Sequence, residues 1–208
     1  MPTTTSPINR RQNKADAVFP PGEALNGLEF VSRRGRGPAP VHLWNPPDCG
    51  DIDMRIAADA TWFYRGSPIG RLPLVQLFSS ILRRDGDRYV LVTPVERVGI
   101  TVDDAPFLAV EMQVEGEGSD RRLTFRTNVE DVVTVDDEHP LRFETGAAEG
   151  VKPYVRVRGD LWALVKRPLF YDLVALGASE SGPDGAWFGV RSSGVFFRIC
   201  PASEIEGL

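Results

Sequence analysis

The sequence predicts an α+β protein made of two successive strand-rich modules, each a curved antiparallel sheet with one helix. Two observations carry this prediction. Short apolar stretches alternate with polar residues at the two-residue period of half-buried strands, and two stretches beyond residue 40 have apolar residues at helical spacing. The order strand, helix, hairpin also occurs twice along the chain, which favours an internal duplication.

The two copies share a set of landmarks. In the first, Trp62 precedes a helical pattern that is followed by Asp85-Gly86 and further strands. In the second, Trp162 precedes a helical pattern that is followed by Asp184-Gly185 and further strands. The match is degenerate and needs gaps, so a duplication and the ordinary order of elements in α+β domains both remain open.

Composition narrows the class of protein. The chain has 208 residues, of which 42% are hydrophobic and 25% are charged, as in an ordinary globular protein. Its formal net charge of -5 argues against general binding to nucleic acid. Cys49 and Cys200 are the only cysteines, which predicts a reducing compartment. No apolar run approaches the length of a membrane span, so we expect a cytoplasmic protein without membrane contact.

Breaks in the apolar pattern predict the boundaries of the modules. Residues 1 to about 20 are polar and without period, and a short helix is expected within residues 22–34. Asp103-Asp104 before Pro106 interrupt the strand pattern and mark the break between the modules. The predicted division is a tail with a short helix at 1–39, an N-terminal module at 40–105, a C-terminal module at 106–200 and a tail at 201–208.

The first module begins with a predicted hairpin and its helix. Ile52, Met54 and Ile56 alternate with polar residues, and a turn at 57–60 leads to an aromatic strand at 61–64. Helical spacing then extends from Leu72 to Leu82. Arg83-Arg84 are predicted in the last helical turn, where cations oppose the helix dipole.

Most of the remaining chain reads as strands. A second helix is expected at 168–176, with Pro168 suited to its first turn. The predicted strands are 89–92, 95–102, 107–114, 123–126, 132–135, 141–143, 154–157, 161–165, 187–190 and 195–199.

The least generic stretch is the connection from Pro40 to Ile56. Here the sequence resembles the bacterial DUF1285 family, through His42-Leu43-Trp44-Asn45-Pro46, Cys49-Gly50-Asp51-Ile52-Asp53-Met54-Arg55-Ile56 and Trp62-Phe63-Tyr64-Arg65-Gly66-Ser67-Pro68-Ile69. The resemblance continues through 83–87, 92–96 and 104–107. One departure is Ala60, where the family usually has glycine.

The resemblance implies a duplicated two-domain protein whose second half is similar to a pleckstrin-homology domain. It also implies a cleft between the domains, a nucleotide-like or other small ligand and a role in signalling. No reaction is established for the family.

Several residues of the 40–56 connection are of types that bind metals or act in catalysis. His42, Cys49, Asp51 and Asp53 are all metal-ligand types, but their spacing fits neither a zinc nor a calcium loop, and we expect no metal and no other cofactor. Cys49 with His42 would form a nucleophile and base if the fold brought them together. Serine-hydrolase, phosphate-loop and dinucleotide motifs are all missing, which argues against an enzyme.

Arginines at predicted strand ends suggest a different role. Arg55, Arg97, Arg158 and Arg167 would bind phosphate or carboxylate groups if the modules face each other, with Trp62 beside a base. The alternative is that these arginines pair with the abundant carboxylates.

The sequence therefore predicts a non-enzymatic binding or regulatory protein for a small anionic or nucleotide-like ligand. An enzyme using Cys49 and His42 and a protein-interaction scaffold with an unknown partner are the alternatives. The predicted ligand-binding residues are His42, Trp44, Asn45, Cys49, Asp51, Asp53, Arg55, Trp62, Arg97 and Arg158.

Overall fold

The computed structural model describes residues 38–146 and 150–205. These residues contain fifteen β-strands and two α-helices. The tail predicted at residues 1 to about 20 and the helix predicted at 22–34 lie outside these residues.

The first module is a six-stranded sheet with one helix. Its elements are β1 (Asp48–Ile56), β2 (Trp62–Tyr64), β3 (Ser67–Pro68), α1 (Leu72–Ser80), β4 (Leu82–Asp85), β5 (Arg88–Val92) and β6 (Arg97–Val102). The strand order is β3-β2-β1-β6-β5-β4, so two three-stranded meanders meet at the centre, where β1 and β6 run parallel.

The second module has a six-stranded sheet, a helix and a further three-stranded sheet. Its elements are β7 (Phe107–Glu115), β8 (Arg122–Thr127), β9 (Val132–Thr134), β10 (Leu141–Gly146), β11 (Gly150–Arg158), β12 (Leu161–Val165), α2 (Arg167–Ala175), β13 (Ala178–Gly182), β14 (Gly185–Ser192) and β15 (Val195–Pro201). The six-stranded order is β10-β11-β12-β7-β8-β9, again with a parallel central pair, β12 and β7.

The two six-stranded sheets have the same topology, with the first and sixth strands of each paired in parallel. The predicted pair of strand-rich modules, each with a helix, is confirmed. The sheets are antiparallel as expected except for that one central pair in each. Duplication and similarity to a pleckstrin-homology domain stay predictions.

Helix α1 ends earlier than its apolar spacing indicated. Val75 and Phe78 face the core, and Ser79 donates its side-chain hydroxyl to the Val75 carbonyl at 2.7 Å. The following residues form β4, with Leu82 buried and paired to Leu91 of β5. The prediction that Arg83-Arg84 close the helix was therefore wrong, because the pairing of Leu82 with β5 places both arginines in a strand.

The turn at 57–60 forms as predicted, and it joins β1 to the aromatic strand β2. Its last residue, Ala60, is buried and has a φ of 62°, in the left-handed region that favours glycine. The glycine usual in the family would adopt this backbone without steric cost.

One hydrophobic core runs through both modules. In the first module it contains Trp62 stacked on Phe78, with ring centroids 6.1 Å apart, and it continues into Phe107, Phe125 and other buried residues of the second module. At the end of the chain, β15 extends through Pro201, and Ala202 is buried. Pro201 and Ala202, predicted as part of a tail, therefore belong to the folded second module.

Candidate functional site

Two arginine-rich clusters stand out among the described residues. The first, the edge network, lies on β1, β4, β5 and β6 of the first module and has equal numbers of cations and anions. It comprises Asp48, Asp51, Arg83, Asp85, Arg88 and Arg97.

Arg83 joins the edge network to the chain that precedes β1. Its Nε and one terminal nitrogen donate to the two oxygens of Asp85, at 2.6 and 2.8 Å. Its other terminal nitrogen donates to the carbonyls of Val41 and Trp44, both at 2.7 Å. The side chain thus holds the 41–44 segment against β4.

The other two arginines of the network are also paired. Arg97 contacts Asp85 at 3.1 Å and Asp48 at 3.3 Å, and Arg88 contacts Asp48 at 2.9 Å and Asp51 at 2.6 Å. Gly99 lies beneath the last of these pairs, where a Cβ atom would collide with the Asp51 carboxylate. The network therefore depends on a residue without a side chain at this position.

These contacts lower carboxyl pKa values. Hydrogen bonding from Arg83 holds the pKa of Asp85 below its usual value, with a further contribution from Arg97. The pKa of Asp48 is lowered by the backbone N–H of Gly50 and then by Arg88. Asp48 and Asp85 therefore stay ionised at neutral pH and pair with the arginines of the network.

The second cluster, the junction cluster, lies where the β4–β5 hairpin meets the face of β10, β11 and β12. It combines aromatic rings with charges of both signs. It comprises Arg84, Tyr89, Asp104, Arg142, Glu144, Lys152, Tyr154, Arg156, Asp160 and Trp162.

Arg142 is at the centre of this cluster. Its guanidinium carbon lies 4.4 Å from the ring centroid of Trp162 and 5.1 Å from that of Tyr154. In the described part of the chain its one ion pair runs from Nε to Glu144, at 3.1 Å. No hydrogen bond of the described chain uses its two terminal nitrogens, which leaves these donors for a ligand.

Arg156 lies on the same face, because it is directly opposite Trp162 in the pairing of β11 with β12. Its Nε donates to the carbonyl of Gly159. No carboxylate of the described chain pairs with it. Two arginines thus neighbour Trp162 on this face, Arg142 over its ring and Arg156 opposite it in the strand pairing, and no described hydrogen bond uses the terminal nitrogens of either.

Tyr154 provides the second aromatic ring that Arg142 lies over. The tyrosine is buried, and its hydroxyl donates to Asp104 at 2.7 Å, while Lys152 contacts the other oxygen of the same carboxylate at 3.0 Å. Burial and then the Asp104 carboxylate raise the pKa of Tyr154, so the phenol stays neutral. The ring on which Arg142 lies is therefore fixed in place.

The first module contributes Arg84 and Tyr89, a cross-strand pair with the guanidinium carbon 5.4 Å from the tyrosine centroid. Arg84 pairs with Asp160 at 3.5 Å, and the same carboxylate accepts from Nε1 of Trp162 at 3.1 Å. Burial raises the pKa of Tyr89, while Arg84 and Arg142 act to lower it and Asp160 and Asp104 act to raise it. Both modules therefore build this cluster.

Most of the residues predicted from the 40–56 connection are exposed. His42 and Asn45 are exposed, Trp44 packs partly against the core, and Cys49 is exposed with its thiol 3.9 Å from the Pro47 carbonyl. No described hydrogen bond or ion pair joins Cys49 to His42. Asp53 is exposed on β1.

The other predicted residues lie in three further places. Arg55 pairs with Asp103 at the end of β1. Trp62 is buried in the core, and within the described residues its Nε1 has no hydrogen-bond partner. Arg158 pairs with Asp131 and donates to the Ser79 carbonyl at 2.7 Å, which ties the second module to the end of α1.

Of the predicted ligand-binding residues, only Asp51 and Arg97 belong to the same described cluster. Ion pairs through Asp48 and Arg88 connect them. Arg167 lies apart at the start of α2, where Nε donates to the Tyr171 hydroxyl at 3.1 Å. Across residues 38–146 and 150–205, no group of three or more histidine, cysteine, aspartate or glutamate side chains is arranged to hold a metal ion. None of the helices described has the length and apolar character that a membrane span requires.

The sequence interpretation missed Arg142 and Arg156. Leu141 and Phe143 alternate with Arg142 and Glu144, which places the two polar residues on one face of their strand. The missing information was the neighbour: only the register of β10, β11 and β12 shows that this face also carries Tyr154 and Trp162.

Similarity to known proteins agrees with the two-module layout. A family model described as "Domain of unknown function (DUF1285), N-terminal domain" matches residues 39–105, and one described as "Protein of unknown function (DUF1285), C-terminal domain" matches residues 106–199. No curated protein matches the chain.

Two crystal structures resemble the chain. A DUF1285 family protein from Silicibacter pomeroyi DSS-3 is 51% identical with a TM-score of 0.80, and the match covers 88% of this chain and 100% of that one. A DUF1285 family protein from Shewanella baltica OS155 is 27% identical with a TM-score of 0.48, covering 60% of this chain and 91% of that one.

Proposed function

The chain belongs to the DUF1285 family, and we propose that it is a binding protein that holds a small anionic ligand at the junction cluster. The observation that carries the proposal is the environment of Arg142. Its guanidinium lies over two aromatic rings, and no hydrogen bond of the described chain uses its two terminal nitrogens.

Such a guanidinium is prepared for an anion. Stacking fixes its plane, so little side-chain freedom is lost when its edge forms two parallel hydrogen bonds with a carboxylate or phosphate. Aromatic rings below the plane also limit hydration of the cation. The Glu144 carboxylate lies 3.1 Å from Nε, and no hydrogen bond of the described chain uses the outer edge of the guanidinium.

Arg156 strengthens the proposal because it adds a second guanidinium group on the same face of β10, β11 and β12. It lies opposite Trp162 on β11, and Arg142 reaches Trp162 from β10. An anion at the edge of the indole would accept hydrogen bonds from both arginines. We also propose that the ligand is nucleotide-like and that the protein has a signalling role. The phosphate of such a ligand would be the group that the arginines bind.

The edge network is a weaker candidate for the same role. Each of its arginines has at least one carboxylate within hydrogen-bonding distance, so a ligand would have to displace an ion pair. Arg97, which the sequence placed in the site, is held by two carboxylates. This difference directs the first experiment to Arg142.

The test is a titration of the ¹⁵N-labelled full chain with inorganic phosphate, followed by amide chemical shifts at low ionic strength. We expect saturable shifts in β10, β11 and β12. Arg142→Ala should weaken phosphate binding roughly tenfold or more, because charge-assisted hydrogen bonds contribute about 1.5–3 kcal/mol. Arg142→Lys should recover only part of the affinity, since lysine cannot form the fork.

The matched control is Arg122→Ala, which removes an exposed arginine from β8 and changes the net charge by the same amount. Its affinity for phosphate should equal that of the wild type. Equal weakening in both variants, or shifts that never saturate, would show that phosphate samples the surface charge without a site at Arg142.

A further inference from the structure

The distribution of carboxylates points to a restriction on the ligand: we infer that the junction cluster accepts one compact anionic group, such as a phosphate monoester or carboxylate, and discriminates against polyphosphates. This inference rests on the proposed function and concerns the same site.

Most cations of the junction cluster are already neutralised. Arg84 pairs with Asp160 at 3.5 Å, and Lys152 pairs with Asp104 at 3.0 Å. Within the described residues, no hydrogen bond uses the terminal nitrogens of Arg142 or Arg156. Arg142 lies over Trp162 and Arg156 is directly opposite Trp162 in the pairing of β11 with β12, so these donors share one part of the face and suit one anionic group.

Three carboxylates surround that point. Glu144 lies against Nε of Arg142, Asp160 accepts from the Trp162 indole, and Asp104 accepts from the Tyr154 hydroxyl. Further phosphates of a chain would find no unpaired cation in the cluster and would lie within one Debye length of these carboxylates, where repulsion is not screened. Each added phosphate therefore weakens binding.

The stacking geometry also excludes one form of nucleotide recognition. A base would need an open face of Trp162, yet the guanidinium of Arg142 covers one face at 4.4 Å from the centroid. An attached base could stack only on the other face of the indole, so the selectivity rests on the anionic group.

Glu144 is the residue that sets this selectivity. Its side chain is about half exposed, at 51%, and its charge is the one closest to the free edge of Arg142. A Glu144→Gln change keeps an oxygen beside Nε and removes the negative charge. Repulsion of additional phosphates should fall while the position of Arg142 is retained.

The experiment compares phosphate, pyrophosphate and tripolyphosphate, each titrated into the wild type and Glu144→Gln at one fixed ionic strength. The wild type should bind tripolyphosphate no more tightly than phosphate. In Glu144→Gln the affinity for tripolyphosphate should rise at least threefold more than the affinity for phosphate. Glu115→Gln, which removes an exposed carboxylate on β7, is the matched control and should leave the ratio unchanged.

The outcomes separate this inference from the proposed function. Tripolyphosphate binding tenfold tighter than phosphate in the wild type, and lost in Arg142→Ala, would overturn the selectivity and leave the binding site standing. An unchanged ratio in Glu144→Gln would remove Glu144 from its role and overturn the inference. Absence of saturable binding by all three anions would overturn both.

Discussion

The edge network and the junction cluster contain the same kinds of side chain and differ in how the charges are paired. Arg83 in the edge network makes four hydrogen bonds, two to a carboxylate and two to backbone carbonyls. Arg142 in the junction cluster lies on two aromatic rings and has one carboxylate contact. The first arginine is fully used by the fold, whereas the second keeps donors for another molecule.

This difference teaches that the number of arginines at a surface says little about binding. An ion pair that forms on folding must be broken before either partner can bind a ligand, and breaking a partly buried pair leaves a charge without a partner. Stacking on aromatic rings orients a guanidinium without using its hydrogen-bond donors. We therefore expect changes in the edge network to alter stability, and changes in the junction cluster to alter affinity.

The largest effect should come from Arg83→Ala. The change leaves Asp85 without its bidentate partner and removes the donor for the Val41 and Trp44 carbonyls. We expect a loss of about 3 kcal/mol in the free energy of unfolding, measured in urea at pH 7. Arg142→Ala should cost less than about 1 kcal/mol in the same assay. Equal losses in the two variants would remove the distinction between the clusters.

A smaller effect is expected for Arg97→Ala, and it tests a residue that the sequence placed in the binding site. Its side chain is 24% exposed and pairs with Asp85 and Asp48. The variant should lose about 1–2 kcal/mol of stability and bind phosphate within twofold of the wild type. A tenfold loss of affinity with stability intact would instead place the site at the edge network.

The smallest effect is a pH dependence of the edge network. Because Arg83 lowers the folded-state pKa of Asp85, the stability from this carboxylate is present above its unfolded-state pKa, near 4, and is lost as pH falls through the lower folded value. Thermal unfolding between pH 5 and pH 2.5 should show a midpoint that falls less steeply with acidification in Asp85→Asn than in the wild type. Asp87→Asn, a change at an exposed carboxylate, should follow the wild-type slope. Parallel curves for Asp85→Asn and the wild type would contradict the assignment.

Much of the fold could be predicted from the sequence because apolar and polar residues alternate along its strands, whereas apolar residues recur at helical spacing in its helices. The strand at Ile52, Met54 and Ile56 was found from alternation alone, and it pairs with the aromatic strand as expected. The missed strands have weaker patterns. β13 is Ala-Ser-Glu-Ser-Gly, with no apolar residue larger than alanine, and β4 continues an apolar run that already had helical spacing.

The candidate site was less accessible to prediction because it depends on partners. Arg97 and Arg142 both lie on strands of antiparallel pairs, and nothing local distinguishes them. Their roles differ because Asp48 and Asp85 lie beside Arg97, whereas Tyr154 and Trp162 lie beside Arg142. The alternative that the arginines pair with carboxylates describes Arg97, Arg55 and Arg158. The pairing of β10, β11 and β12 was the information that the sequence did not contain.

The parallel pair at the centre of each six-stranded sheet also has a consequence for how the chain folds during synthesis. β1 bonds with β6, and β12 bonds with β7, so each sheet lacks its middle until its sixth strand has left the ribosome. Before then, the sheet consists of one three-stranded meander and one two-stranded hairpin, and the strand edges that the sixth strand will later cover stay exposed. Exposed edges favour aggregation. Closing each centre requires contacts between strands far apart in sequence, which makes it a slow step. A pause in translation just before β6 or β12 would therefore prolong the most vulnerable stage of each module.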